Sequence, residues 1–232
     1  MNIAIFGDSF ANGVTDGLRG NRHGGLVDYL KEDGHFVVNF SRQGNSNYQT
    51  IDDYAKNLRQ NPHLNFDMAF VFQTETTRQT NEWIESLRDG VSIKDVDNIF
   101  LHNFYKELSD NYYHYNVPIY IVGGTNDTLS PEVISKYNGL TCICQSWTNL
   151  IDSGKHTIDE PTISFVFPLP AYSMTRDYAH LIDDKEYFLK IEKMGYQRYQ
   201  KYENIKEYYH MLHPNEKSYK ILYEHIKESI WS

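Results

Sequence analysis

The sequence predicts a doubly wound α/β domain: three layers, with a five-stranded parallel sheet between two layers of helices. Three observations carry this expectation. Five short runs are rich in β-branched and aromatic residues, and they alternate with segments of helical periodicity. The runs are apolar almost without interruption, as strands buried on both faces are, rather than alternating like half-solvated antiparallel strands. No repeat, low-complexity tract or Pro/Gly/Ser-rich linker divides the 232 residues, and one core can hold a chain of roughly 250 residues. The expected unit is therefore a single domain spanning 1–232.

The elements follow in order. Asn2–Phe6 (NIAIF) is the first strand. Residues 22–33 carry Leu26, Tyr29 and Leu30 at helical spacing and end at Gly34, a good stop residue. His35–Phe40 (HFVVNF) is the second strand, and 48–60 is the next helix. Asp67–Phe72 (DMAFVF) is the third strand. Residues 80–115 hold two helices broken near Asp89-Gly90, and Val117–Val122 (VPIYIV) is the fourth strand, with Pro118 at its start. Residues 141–152 are expected to be helical and Ile163–Phe167 (ISFVF) to form the fifth strand. A long polar and aromatic stretch, 177–209, reads as two helices, and 215–230 closes the chain with Ile221, Leu222, His225 and Ile226 on one face.

Charge and composition exclude several partners. Lys plus Arg is 22 and Asp plus Glu is 31, so 22 − 31 leaves a formal charge of −9. That balance disfavours nucleic acid, which needs a basic face, and anionic membranes for the same reason. The longest apolar stretch, ISFVFPLPA at 163–171, is half a membrane span and contains two prolines. MNIAIFGDSF lacks a basic segment followed by a long apolar core, so no secretory leader is expected and the location is read as cytoplasmic or virion. Cys142 and Cys144 are too close for a comfortable disulfide and have no neighbouring metal ligands, so both are expected reduced and partly buried, with no metal site. No GxGxxG or Walker loop is present, and no cofactor is expected. Asp52-Asp53 and Asp183-Asp184 read as solvated residues at helix starts.

In a doubly wound sheet the site lies at the carboxyl ends of the strands. The loops to inspect therefore follow residues 6, 40, 72, 122 and 167. The first, GDSFANG at 7–13, places Ser9 three residues past a buried strand end, with its own N–H near the same point. A serine there presents a nucleophile with one oxyanion donor at hand. The same segment also reads as a phosphate loop, or as a plain turn with Asp8-Ser9 as cap. The second loop, SRQGNSN at 41–47, contains Gly44, where backbone can approach a ligand closely. Near the end of the chain, His213 precedes Pro214 and Asn215, which looks like the start of the last helix. Proline restricts the residue before it, so this histidine is held rigidly.

As an ordered set, GDSF at 7–10, the Gly44 loop and HPN at 213–215 resemble the SGNH, or GDSL-type, hydrolase superfamily across nearly the whole chain. The resemblance implies a flavodoxin-like sheet in the order 2-1-3-4-5. It implies Ser9 as nucleophile, His213 as general base, and the Ser9 and Gly44 N–H groups as oxyanion donors. Two positions depart from the family. It usually carries Asp three residues before the catalytic histidine, and here that position is His210, so an acid elsewhere (Asp177, Asp183 or Asp184) or a backbone carbonyl would have to orient His213. The family's third oxyanion donor is an Asn in a GxND block after the third strand. Here GGTND, with Asn126, follows the fourth strand. In the implied order that strand lies roughly 9–10 Å from the first, so Asn126 competes with Thr74 or Thr76, braced by Arg78, for the role.

The expected activity is a metal-independent serine esterase or acylhydrolase working through an acyl-enzyme. Its substrate would be a small-molecule or carbohydrate ester, with O-acylated carbohydrate suggested by what the resemblance implies together with the 19 tyrosines and 15% aromatic content. A helical insertion at about 171–209, including Tyr196, Tyr199 and Tyr202, would flank or cover the site. The alternative from another class is a non-catalytic SGNH-fold binding or structural protein, such as a bacteriophage component, with oligomer or virion assembly as its role. A third reading is a flavodoxin-like binding domain whose first loop cradles an anion.

Overall fold

A computed structural model describes residues 1–13, 24–74, 93–123, 128–147, 150–151, 209–210 and 213–231. Its centre is a five-stranded, all-parallel sheet built from β1 (Asn2–Phe6), β2 (Phe36–Asn39), β3 (Met68–Gln73), β4 (Ile119–Gly123) and β5 (Leu140–Cys144). The spatial order is β2-β1-β3-β4-β5, as the resemblance implies. The helices described include α1 (Leu26–Glu32), α2 (Asn47–Gln60), α3 (Ile93–Tyr115), the single turn α4 (Pro131–Ile134) and α5 (Glu216–Trp231). A two-residue antiparallel pair, β6 (Tyr209–His210) with β7 (His213–Pro214), lies just before α5.

The period of two along each strand divides the core into two halves. On one face Ile3, Ile5, Met68, Phe70, Phe72 and Val122 pack with Leu26, Val27 and Leu30 of α1 and Tyr219, Leu222 and Ile226 of α5. On the other, Ala4, Phe6, Ala69, Val71, Ile119 and Ile121 meet Ile51, Tyr54 and Leu58 of α2 and Leu101, Phe104, Tyr105 and Leu108 of α3. Burying each Leu, Ile, Val, Phe or Met among these contributes about 1.5–3 kcal/mol. β3 is therefore buried at every position, which is why it reads as an unbroken apolar run.

The first four strands fall where the sequence places them, within two residues at each end. The fifth does not. Residues 140–144 form the edge strand beside β4, so the helix expected over 141–152 begins later, and the loop at the sheet's far edge follows residue 144 rather than 167. ISFVF at 163–167 lies outside the described residues, as do the tyrosines at 196, 199 and 202. The expected insertion at about 171–209 lies outside them too, apart from Tyr209 in β6. Among the described residues no helix is long and apolar enough to cross a membrane. Neither cysteine is in a disulfide; Cys144 is buried and Cys142 half-buried. Burial pushes the Cys142 thiol up to about 11, which leaves it protonated and unreactive near neutrality.

At the carboxyl end of β1 the chain must leave the sheet at once. Gly7 does so with φ +145, and a Cβ there would stand 2.7 Å from Phe72 Cβ and 3.1 Å from the Phe72 carbonyl oxygen. Gly7→Ala is expected to destabilise the protein by about 2–4 kcal/mol, from the strained dihedral and the overpacking together. Urea unfolding would show a lower midpoint at an unchanged slope.

Candidate active site

All five strands are parallel, so the loops after β1, β2 and β3 leave the same edge of the sheet side by side. The loop after β1 is organised by Asp8. Its buried carboxylate accepts the Phe10 N–H at 2.9 Å through Oδ1 and the Thr74 hydroxyl at 2.9 Å through Oδ2. The first bond is the local turn that an aspartate makes with the amide two residues on. The second ties this loop to the residue that follows β3. Backbone bonds from Ala11 N–H to the Asp8 carbonyl (3.1 Å) and from Asn12 N–H to the Ser9 carbonyl (3.3 Å) complete a tight double turn. Ser9 sits within it at 9% exposure. Among the described residues neither its Oγ nor its N–H has a hydrogen-bond partner.

The loop after β2 is stitched to the first. Arg42 N–H donates to the Gly7 carbonyl at 3.1 Å, and Asn39 Nδ2 donates to the Ala11 carbonyl at 2.8 Å. Asn45 N–H then donates to the Arg42 carbonyl at 3.2 Å, closing a β-turn over residues 42–45. Gly44 is the third residue of that turn, with φ +79, the sign that a type II turn requires there. Its N–H donates to none of the described residues. Ser46 and Gln49 start α2 with a reciprocal capping box. Beside them, Asn47 Oδ1 accepts the Thr74 N–H at 2.9 Å while its Nδ2 donates to the Thr74 carbonyl at 3.0 Å. One side-chain amide thus does for Thr74 what a neighbouring strand would do.

Asp53 corrects the expectation for the Asp52-Asp53 pair. Asp52 is exposed, but Asp53 is 4% exposed and faces the loop after β2. It accepts Arg42 Nε at 2.8 Å and Asn45 Nδ2 at 2.8 Å, and forms a second, close contact with Arg42 Nη2.

The third segment comes from the end of the chain. His210 and His213 are direct partners in the two-residue ladder of β6 and β7, so the residue standing where the family has Asp lies opposite His213 in a hairpin. Asn215 follows and starts α5 as expected, its Oδ1 accepting the Ser218 N–H at 3.2 Å. Buried Tyr219, in the first turn of α5, donates its hydroxyl to the Phe10 carbonyl at 2.7 Å. Trp147 donates Nε1 to the Ser218 carbonyl at 3.1 Å and packs its ring edge-on to Tyr219, with centroids 4.9 Å apart. The residue after Ser9 and the helix after His213 are thereby joined by one hydrogen bond.

Of the residues singled out in the sequence, Ser9, Gly44 and Thr74 lie in the three stitched loops. Asn126, Thr76, Arg78, Asp177, Asp183 and Asp184 fall outside the described residues. Sequence reasoning passed over Asp8 as more than a cap, and over Asn47, Asp53, Asn45 and Tyr219. The one local signal among them is S-N-Y-Q at 46–49, a capping-box pattern that marks the start of α2.

No family model matches the chain, and no curated protein sequence does. Similar solved structures include TesA (10% identity, 78% of this chain and 100% of that one, TM-score 0.41). Another is the psychrotrophic esterase EstA from Pseudoalteromonas, inhibited by monoethylphosphonate (14%, 88% and 98%, 0.39). A third is an acetylxylan esterase, Axe2, from Geobacillus stearothermophilus (12%, 100% and 94%, 0.40). At such identities and scores the likeness does not reach the chemistry, which must rest on the loops around Ser9.

Thr74→Val keeps the shape and removes the hydroxyl that meets Asp8. It is expected to cost about 1–3 kcal/mol, because a buried carboxylate oxygen loses a donor. Thr74→Ser should recover most of that loss in the same chemical unfolding experiment.

Proposed function

We propose that this chain is a serine hydrolase of SGNH type that cleaves a carboxylic ester through an acyl-enzyme. The observation that carries the reading is Ser9: a nearly buried serine at the carboxyl edge of a parallel sheet, whose hydroxyl and amide are both uncommitted among the described residues while Asp8, Asn45, Asn47 and Thr74 around it are hydrogen-bonded in place. A serine used only to cap a turn would spend its oxygen on a backbone amide; Asp8 does that work here.

In this reading His213 takes the proton from Ser9 Oγ as Oγ attacks the ester carbonyl carbon. The tetrahedral oxyanion is held by the Ser9 and Gly44 N–H groups, which need no reorganisation because their turns are already closed. His213 returns the proton to the departing alcohol. Water then attacks the acyl-serine with His213 again as base, and the carboxylic acid leaves. Thr74 braces rather than donates, since its single hydroxyl proton is directed at Asp8 Oδ2. Asn126 keeps the role of side-chain donor, and an acid elsewhere in the chain or a backbone carbonyl orients His213, whose ladder partner is His210. The substrate is read as an O-acylated carbohydrate, on the support of the chain's aromatic richness, since rings stack on sugar faces.

Ser9→Ala and His213→Ala should each lower kcat/KM for p-nitrophenyl acetate by about 10³-fold or more, with the double variant little worse than either single one. Release of acetate from an acetylated oligosaccharide should fall in parallel. Rates that match the wild type in Ser9→Ala would contradict the proposal.

A further inference from the structure

We infer that Asp53 is a positioning residue for the oxyanion-binding turn, holding Gly44 in register with Ser9 through Arg42 and Asn45. The inference rests on the hydrolase reading above and goes beyond it by assigning the part that aims the Gly44 amide.

The outer part of the turn over residues 42–45 is not held by packing among the described residues. Arg42, Gln43 and Gly44 are exposed, and a Cβ at Gly44 would meet no atom within 4 Å, so packing does not lock the peptide that presents its N–H. Its two ends are instead fastened to one carboxylate. Asp53 Oδ2 accepts Arg42 Nε at 2.8 Å and Asn45 Nδ2 at 2.8 Å, and Oδ1 meets Arg42 Nη2. Arg42 and Asn45 are the first and last residues of the turn. The fork of the guanidinium fixes direction as well as distance, which a lysine could not do. The same Asn45 amide lies 3.4 Å from the Gly7 carbonyl, and Arg42 N–H is bonded to that carbonyl, so the turn is registered against the loop that carries Ser9.

Stability alone does not account for a carboxylate at this place. An ion pair whose guanidinium stays largely in water contributes little to stability. What the carboxylate adds is a set of directed bonds to three N–H groups at the two ends of one turn. Displacing an oxyanion donor by about 1 Å is enough to cost on the order of 10²-fold in rate.

The test uses the full chain with Asp53→Asn and, should that variant fail to fold, Arg42→Gln, whose wild-type side chain is 62% exposed. Turnover of p-nitrophenyl acetate is normalised to the active serine titrated with a fluorophosphonate, and amide hydrogen exchange is followed at Arg42 and Asn45. Asp53→Asn is expected to lower kcat by about 10- to 100-fold with KM within about twofold, and to speed exchange at both amides. Arg42→Gln should do the same to a lesser degree. Wild-type kcat per active serine, or unchanged exchange at both amides, overturns the inference while leaving Ser9 as nucleophile. A wild type with no more turnover than Ser9→Ala overturns the hydrolase reading instead, and the catalytic use of the turn with it.

Discussion

The carboxylate of Asp8, buried at the edge of the sheet and bonded on one side to its own loop and on the other to Thr74, is the contact on which the site depends. A parallel sheet covered on both faces has to release its chains at one edge without stranding polar groups away from water. Here the loops after β1, β2 and β3 solve that problem jointly. Asp8 joins the first to the third, Asn47 joins the second to the third, and Arg42 and Asn45 join the second to the first and to α2. Each bond satisfies a buried group and sets a distance between loops. Ser9 stands inside this mesh with its hydroxyl bonded to none of the described residues.

The layers beneath explain why the mesh can be precise. Trp147 and Tyr219 are fully buried between the sheet and α5, with Phe10 and Phe72 against the tryptophan ring. Close-packed interiors transmit position rather than absorb it. The start of α5 is thereby fixed against the Ser9 loop although some two hundred residues separate them in the chain, and the short ladder that carries His213 feeds directly into that helix.

Much of this fold was legible in the sequence, for a physical reason. Strands β1, β3 and β4 are buried on both faces, so burial itself writes an uninterrupted apolar run. The strand that escaped detection, β5, lies at the sheet edge. Its Thr141 is exposed and its Cys142 and Ile143 are half-buried, so LTCIC is less apolar than ISFVF further on, and the stronger run drew the assignment. The site divides in the same way. Ser9, Gly44 and Thr74 were singled out because each sits in a short local pattern after a strand. Asp53 and Asn47 were not, because their roles exist only through partners 8 to 27 residues distant, and a residue type alone does not announce such a partner. Asp53 was misread as solvated for this reason: an Asp-Asp pair at a helix start is commonly wet, and only the arrival of Arg42 and Asn45 makes one of the two a buried anchor.

On the proposed reading the hydroxyl of Ser9, uncommitted among the described residues, is a nucleophile rather than an idle polar group. Intact-mass and peptide mass spectrometry after incubation with a fluorophosphonate measures this with the fewest assumptions, since it needs no knowledge of the natural ester. The account predicts one adduct per chain, on Ser9, formed quickly in the wild type and absent in Ser9→Ala. An unmodified wild type under conditions that label a known serine esterase, or an adduct that persists in Ser9→Ala, would contradict it.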